Sequence, residues 1–218
     1  ERTTRGLRIY LATPRLRGLL SLNLAAAAAG AMVLVNTVVL VRSGLGFGET
    51  EVALALGAFG GGSMLAALLL PRLLDQRPDR PVMIAGAGVL VITLLGLAGL
   101  SAFNGTGWYL LLAGWVVIGI GYSTVLTPSG RLLKRSAHPE DRPAVYAAQF
   151  ALSHACWLVT YPLAGWLITD FGAATAFAVL ALISITGLIG GVVLWPRGDA
   201  DVVEHSHDDL APDHPHLS

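Results

Sequence analysis

Gln149, Ser153, Trp157 and Tyr161 recur at every fourth position, so they share one face of a helix, with Cys156 and Thr160 close to that stripe and His154 adjacent to it. An amide, a hydroxyl, an indole and a phenol in one row offer hydrogen bonds and ring faces to a partly apolar, aromatic molecule. His154 adds an imidazole, a group that changes charge near physiological pH and can carry a proton. All of them stand within residues 143–169, a run without Asp, Glu, Lys or Arg. Where hydrocarbon surrounds a helix, such polar side chains turn toward a partner helix or a water-filled pathway. The row reads as the lining of a substrate pathway, beside the plainer reading that His154 only hydrogen-bonds a neighbouring helix. Asn36, an amide in another charge-free run (residues 18–41), joins the pathway set for the same reason.

A second group of candidates lies at the C-terminus. His205, His207, His214 and His216, interleaved with Asp208, Asp209 and Asp213, supply imidazoles and carboxylates suited to nickel, cobalt, zinc or copper. In solution such a segment is a loose chelator, and a soluble, disordered tail is its plainer reading. The motifs of other chemistries are missing. The sequence holds no H-E-x-x-H, no G-x-S-x-G and no paired carboxylates within the apolar runs, which argues against an enzyme. It also lacks G-x-x-x-x-G-K-[ST], so nucleotide-driven work is not expected of this chain, and no cofactor is called for. Cys156, the single cysteine, builds neither a disulfide framework nor a Cys-based metal motif.

The elements that must position these residues follow from the distribution of charge. Charged residues make up 13% of the chain and apolar ones 54%, a balance that belongs to a polytopic membrane protein. Residues 18–41, 52–71, 81–130, 143–169 and 171–196 carry no Asp, Glu, Lys or Arg. Each run is near or above the roughly 20 residues that cross a bilayer as a helix. The long one divides at Asn104-Gly-Thr-Gly107, a turn sequence. The expectation is an all-α polytopic fold with six transmembrane helices, spanning about 16–41, 51–70, 82–103, 107–127, 143–169 and 173–195 within a bundle over 16–196. Residues 1–15 read as an amphipathic linker helix on the membrane surface, and 197–218 as a disordered tail. In the second span, Gly57-x-x-x-Gly61 is a spacing that lets helix backbones approach closely. The sixth, apolar apart from Thr175, Ser184 and Thr186, reads as a peripheral helix facing lipid. The start without methionine suggests a fragment or a processed terminus.

In that arrangement thirteen of the fourteen Lys and Arg fall on one side and only Arg42 on the other. The positive-inside rule then puts both termini in the cytoplasm. The formal net charge of zero suggests no nucleic-acid partner.

The basic segment Gly6-Leu-Arg8-Ile-Tyr-Leu-Ala-Thr-Pro14-Arg-Leu-Arg17, six spans with cytoplasmic ends, and a charged loop after span two resemble the C-terminal half of a major facilitator superfamily transporter. The resemblance covers residues 1–197. It implies half of a twelve-helix fold, completed by an N-terminal six-helix half or a second copy in the lipid bilayer of the plasma (inner) membrane. It also implies a small-molecule substrate moved by alternating access, with proton-coupled efflux as the working mode and the proton gradient as driving force. The family's loop motif, Gly-x-x-x-Asp-Arg-x-Gly-Arg, is matched by Asp75 for its Asp and Arg80 for its later Arg. Pro71 stands for the Gly, and Asp75 to Arg80 is one residue longer than the motif. By that resemblance Asp75 and Arg80 form a conformational latch, Asp75 bonding exposed amides where Pro143 opens a helix. Otherwise the two only solvate a short loop. A divalent-metal efflux transporter using the His-rich tail and a non-transporting six-span scaffold are the competing readings.

Overall fold

The computed structural model describes residues 2–103 and 105–198, and among them every regular element is helical. α1 runs Arg2–Ala12 and α2 runs Pro14–Val38, the latter opened by a proline whose fixed φ suits a first helical position. Between them Thr13 is extended, the conformation favoured before proline, and its hydroxyl donates back to the Ile9 carbonyl at 2.8 Å. A π-helical turn, Val39–Gly44, continues α2. α3, Glu49–Leu74, starts where the Glu51 carboxylate accepts the Gly48 N–H at 3.0 Å, and Glu49 and Glu51 suit the positive end of its dipole. α4 (Asp79–Phe103), α5 (Trp108–Leu126), the short α6 (Ser129–Ser136) and α7 (Arg142–Leu194) follow.

Five helices are long and apolar enough to cross a membrane: Pro14–Gly44, Glu49–Leu74, Asp79–Phe103, Trp108–Ser136 and Arg142–Leu194. The sequence suggests six, and the difference lies in α7. Its 53 residues would measure roughly 80 Å if straight, against a hydrocarbon layer of about 30 Å. Gly172 interrupts it with φ 82° and ψ 174°, a conformation open only to glycine. The two limbs run in opposite senses along the rest of the fold. In the first, Ala144 abuts Gly6, Thr160 reaches the Ala27 carbonyl and Gly165 meets Val35. In the second, Ser184 reaches the Ala25 carbonyl, Gly187 abuts Ser21 and Trp195 abuts Gly18. The chain thus doubles back at Gly172, between the expected fifth and sixth segments.

α2 is the hub. Its stretch from Ala25 to Val33 is buried throughout, because small side chains let both limbs of α7, together with α5, come close. Lipid tails are as apolar as leucine, so close packing rather than apolar burial holds such helices together. The second limb of α7 does more than face lipid. Ser184 is fully buried against α2, and the Phe177 ring meets Trp115 edge-on at 6.2 Å. On α3 the close approach falls at Gly62, not at the Gly57 and Gly61 expected from spacing. A side chain at 62 would overlap the Val116 carbonyl of α5, and one at Gly119 would overlap the Phe59 carbonyl of α3. At Gly57 and Gly61 an added Cβ meets nothing within 4 Å.

Candidate substrate pathway

Midway along α2, Gly30 leaves a gap in the wall that two rings fill. A Cβ there would stand 2.8 Å from the Trp157 ring of α7 and 3.1 Å from the Tyr122 ring of α5. From this point the rings form a row in edge-to-face contacts. Phe59 of α3 meets Tyr122 with centroids 5.5 Å apart, Tyr122 meets Trp157 at 6.0 Å, and Trp157 meets Tyr161 at 4.8 Å. Four helices thus converge on one aromatic cluster. Such pairs add about 0.5–1.5 kcal/mol each beyond their burial, so the row is a firm surface. The Tyr122 and Tyr161 hydroxyls and the Trp157 N–H have no hydrogen-bond partner among the described residues. None of the three is fully buried, so they remain available to a ligand. An open groove beside the row takes in His154, Trp157 and Tyr161.

The sequence candidates separate into two sets. Trp157 and Tyr161 join the cluster, and His154 lines the same groove, where its ring lies 4.0 Å from that of Phe150 and its Nδ1 is 2.7 Å from the Phe150 carbonyl. Ser153 bonds the same carbonyl at 3.0 Å. Gln149 lies apart from the groove and accepts the Tyr10 hydroxyl, tying α1 to α7. Burial holds the Tyr10 phenol well above its usual range, with Cys156 a smaller cause, so it stays a donor. Asn36 is fully buried and clamps α2 to α7, its amide N–H donating to the Ala164 carbonyl at 3.1 Å. Its neighbour Thr37 takes the Trp115 indole N–H at 2.8 Å.

The loop candidates also separate. Asp75 is exposed at the end of α3, where its backbone N–H donates to the Pro71 carbonyl at 3.0 Å, and its carboxylate makes no hydrogen bond or ion pair among the described residues. The carboxylate with basic partners is Asp79, only 1% exposed. Arg131 of α6 donates to it through Nε at 3.0 Å and also through Nη2, while its Nη1 reaches the Leu74 carbonyl at 3.3 Å. Arg135, one turn on, lies 3.1 Å from its other oxygen. α6 thereby clasps the turn between α3 and α4. Arg80 does not meet Asp75. Its Nε and Nη2 donate to the Trp195 and Val192 carbonyls at 2.8 and 3.0 Å, closing the end of α7. At the start of α7 the nearby carboxylate is Asp141, paired with Arg5 of α1 at 2.8 Å.

His205, His207, His214 and His216 lie outside the described residues. Among the described residues no three His, Cys, Asp or Glu gather as a metal site requires. Sequence reasoning noted Tyr122 among the hydroxyl groups of its span but missed Phe59 and Gly30, since rings from three helices and a glycine from a fourth share no spacing. It missed the Asp79 clasp as well, although Arg131 and Arg135 stand at the i, i+4 spacing that presents two guanidinium groups on one face. A family model described as Major Facilitator Superfamily matches residues 19–212.

Proposed function

The chain belongs to the major facilitator superfamily, and we propose that it serves a secondary transporter that binds a small, partly apolar, aromatic molecule against Phe59, Tyr122, Trp157 and Tyr161. As a member of that family it is a multi-pass membrane protein of a transporter class. One observation carries the substrate reading: ring faces from three helices, seated over Gly30, with three polar tips that no described residue occupies. Ligand sites in such transporters lie near the midplane between two structural halves, and Gly30 stands near the middle of Pro14–Gly44.

On this reading α7 crosses twice, with Gly172 as the turn, giving six crossings and cytoplasmic termini in the plasma membrane. A second six-helix unit, from the same protein or another copy, covers the groove. The exposed Gly57 and Gly60 on α3 leave room for its approach. His154 is the one His, Asp, Glu, Lys or Arg within residues 143–169, and we assign it the proton that couples efflux to the gradient, with no cofactor required.

The test is flux by the full-length gene product in proteoliposomes, over a panel of aromatic compounds, with and without an imposed proton gradient. Gradient-driven flux that falls at least tenfold in Trp157→Ala and loses its gradient dependence in His154→Ala is the expected result. Flux of divalent metal alone would replace the substrate class. No flux of any compound from a correctly inserted protein would favour a scaffold.

A further inference from the structure

Beside the α6 clasp lies a recess of about 360 Å³ lined by Arg80, Arg135, Trp195 and Arg197. Three guanidinium groups therefore face one space. Among the described residues the carboxylate in contact with this group is Asp79, shared between Arg131 and Arg135, and neither Arg80 nor Arg197 has an acidic partner there, so the positive charge of these two is left to the recess. Its walls are fixed. Trp195 is 2% exposed and seated against Gly18, and its carbonyl takes the Arg80 Nε. Pro78, Pro81 and Pro196 complete the rim with restricted backbones. With Nε and Nη2 of Arg80 held by α7 carbonyls, its Nη1 remains, and Arg197 is exposed with no ion pair among the described residues.

We propose that this recess binds a phosphate-bearing anion at the membrane boundary. The chemistry is that of guanidinium forks on phosphate oxygens. The location is where apolar helices end, the level of lipid headgroups, and basic pockets between helix ends suit anionic headgroups. A room of this size holds roughly a dozen waters at ~30 Å³ each, enough for a phosphodiester and its shell. The inference rests on the membrane-spanning reading of the chain and is independent of what is transported.

The experiment measures lipids retained by the full-length protein from mixed phosphatidylglycerol and phosphatidylcholine, by native mass spectrometry. Arg197→Gln carries the test, because Arg80 also closes α7 and its loss could loosen the fold. Arg72→Gln with Arg77→Gln, two exposed arginines of the preceding loop, is the control for general surface attraction. The wild type should prefer phosphatidylglycerol, and Arg197→Gln should lower that preference about fivefold, an arginine near a charged surface being worth roughly 1 kcal/mol. The control pair should leave it unchanged. In a parallel arm, inorganic phosphate is added to lipid-depleted protein and thermal stability is followed. Stabilisation lost in Arg197→Gln, without any lipid preference, assigns the site to a soluble anion. Neither effect in the wild type, or a control pair that acts as strongly as Arg197→Gln, overturns the proposal.

Discussion

Gly30 of α2 and Trp157 of α7 fit one another as gap and filler: a Cβ at position 30 would come within 2.8 Å of the indole Cη2. The atoms in the way are the ends of side chains, so Gly30→Ala displaces rings, not helices. Folding should change by no more than ~1 kcal/mol, the low end of overpacking costs. Substrate affinity should fall about tenfold, since a ring shift worth roughly 1.4 kcal/mol suffices for that. Binding titrations beside thermal melts separate the two effects. Equal loss in both would mean that the ring row is only packing.

Gly62 and Gly61 are neighbours in the sequence with opposite expectations. At Gly62 the obstacle is the Val116 backbone, which cannot rotate aside, whereas Gly61 has open space. Gly62→Ala should therefore separate α3 from α5 and cost roughly 2–3 kcal/mol. Gly61→Ala should be neutral or gain up to ~1 kcal/mol through helix propensity. Denaturant unfolding in detergent micelles distinguishes them.

That pair also marks how far the sequence could be read. Runs without charge place the helices to within a few residues, because desolvating a charge in hydrocarbon is costly enough to shape composition directly. The row from Gln149 to Tyr161 located α7, the helix that contributes Trp157 and Tyr161 to the cluster. Which glycine meets a backbone depends on how two helices cross, and no local spacing encodes that; Gly57-x-x-x-Gly61 missed by one residue. Gln149 and Asn36 belong to the pathway set expected from the sequence, and in the fold each bonds another helix. Their partners, Tyr10 and the Ala164 carbonyl, are 139 and 128 positions away and invisible to periodicity. Asp75 and Asp79 differ only in which one α6 folds onto.

Asp79→Asn removes a buried anion from between two arginines. Breaking a buried pair costs up to about 3–5 kcal/mol. The side chains of Arg131 and Arg135 are 39% and 27% exposed, so solvent takes up part of the loss. A destabilisation of roughly 1–3 kcal/mol is expected. Asp75→Asn, at an exposed site, should stay within ~0.5 kcal/mol. Cysteine accessibility on the two membrane faces, measured in both variants, tells whether either carboxylate also biases the conformation.

Tyr10 gives α1 a pH dependence whose sign follows from its burial. The phenol's folded pKa lies above its ordinary value near ~10, so the folded protein holds the proton more tightly than the unfolded chain. Its contribution is complete below ~10 and is lost as pH rises from there toward the folded value. Docking of α1 should accordingly be flat from neutral pH to about 9 and weaken above about 10. Tyr10→Phe removes both the alkaline loss and the bond to Gln149, leaving an amide oxygen without its donor. That should cost about 1–2 kcal/mol at every pH. Hydrogen exchange of the α1 amides, followed from pH 7 upward with correction for the intrinsic rate, reads both effects. Equal alkaline loosening in wild type and Tyr10→Phe would assign the transition to another group. Since Gln149 is the partner, Gln149→Ala should reproduce the neutral-pH loosening of α1 and leave ligand affinity at the ring row unchanged.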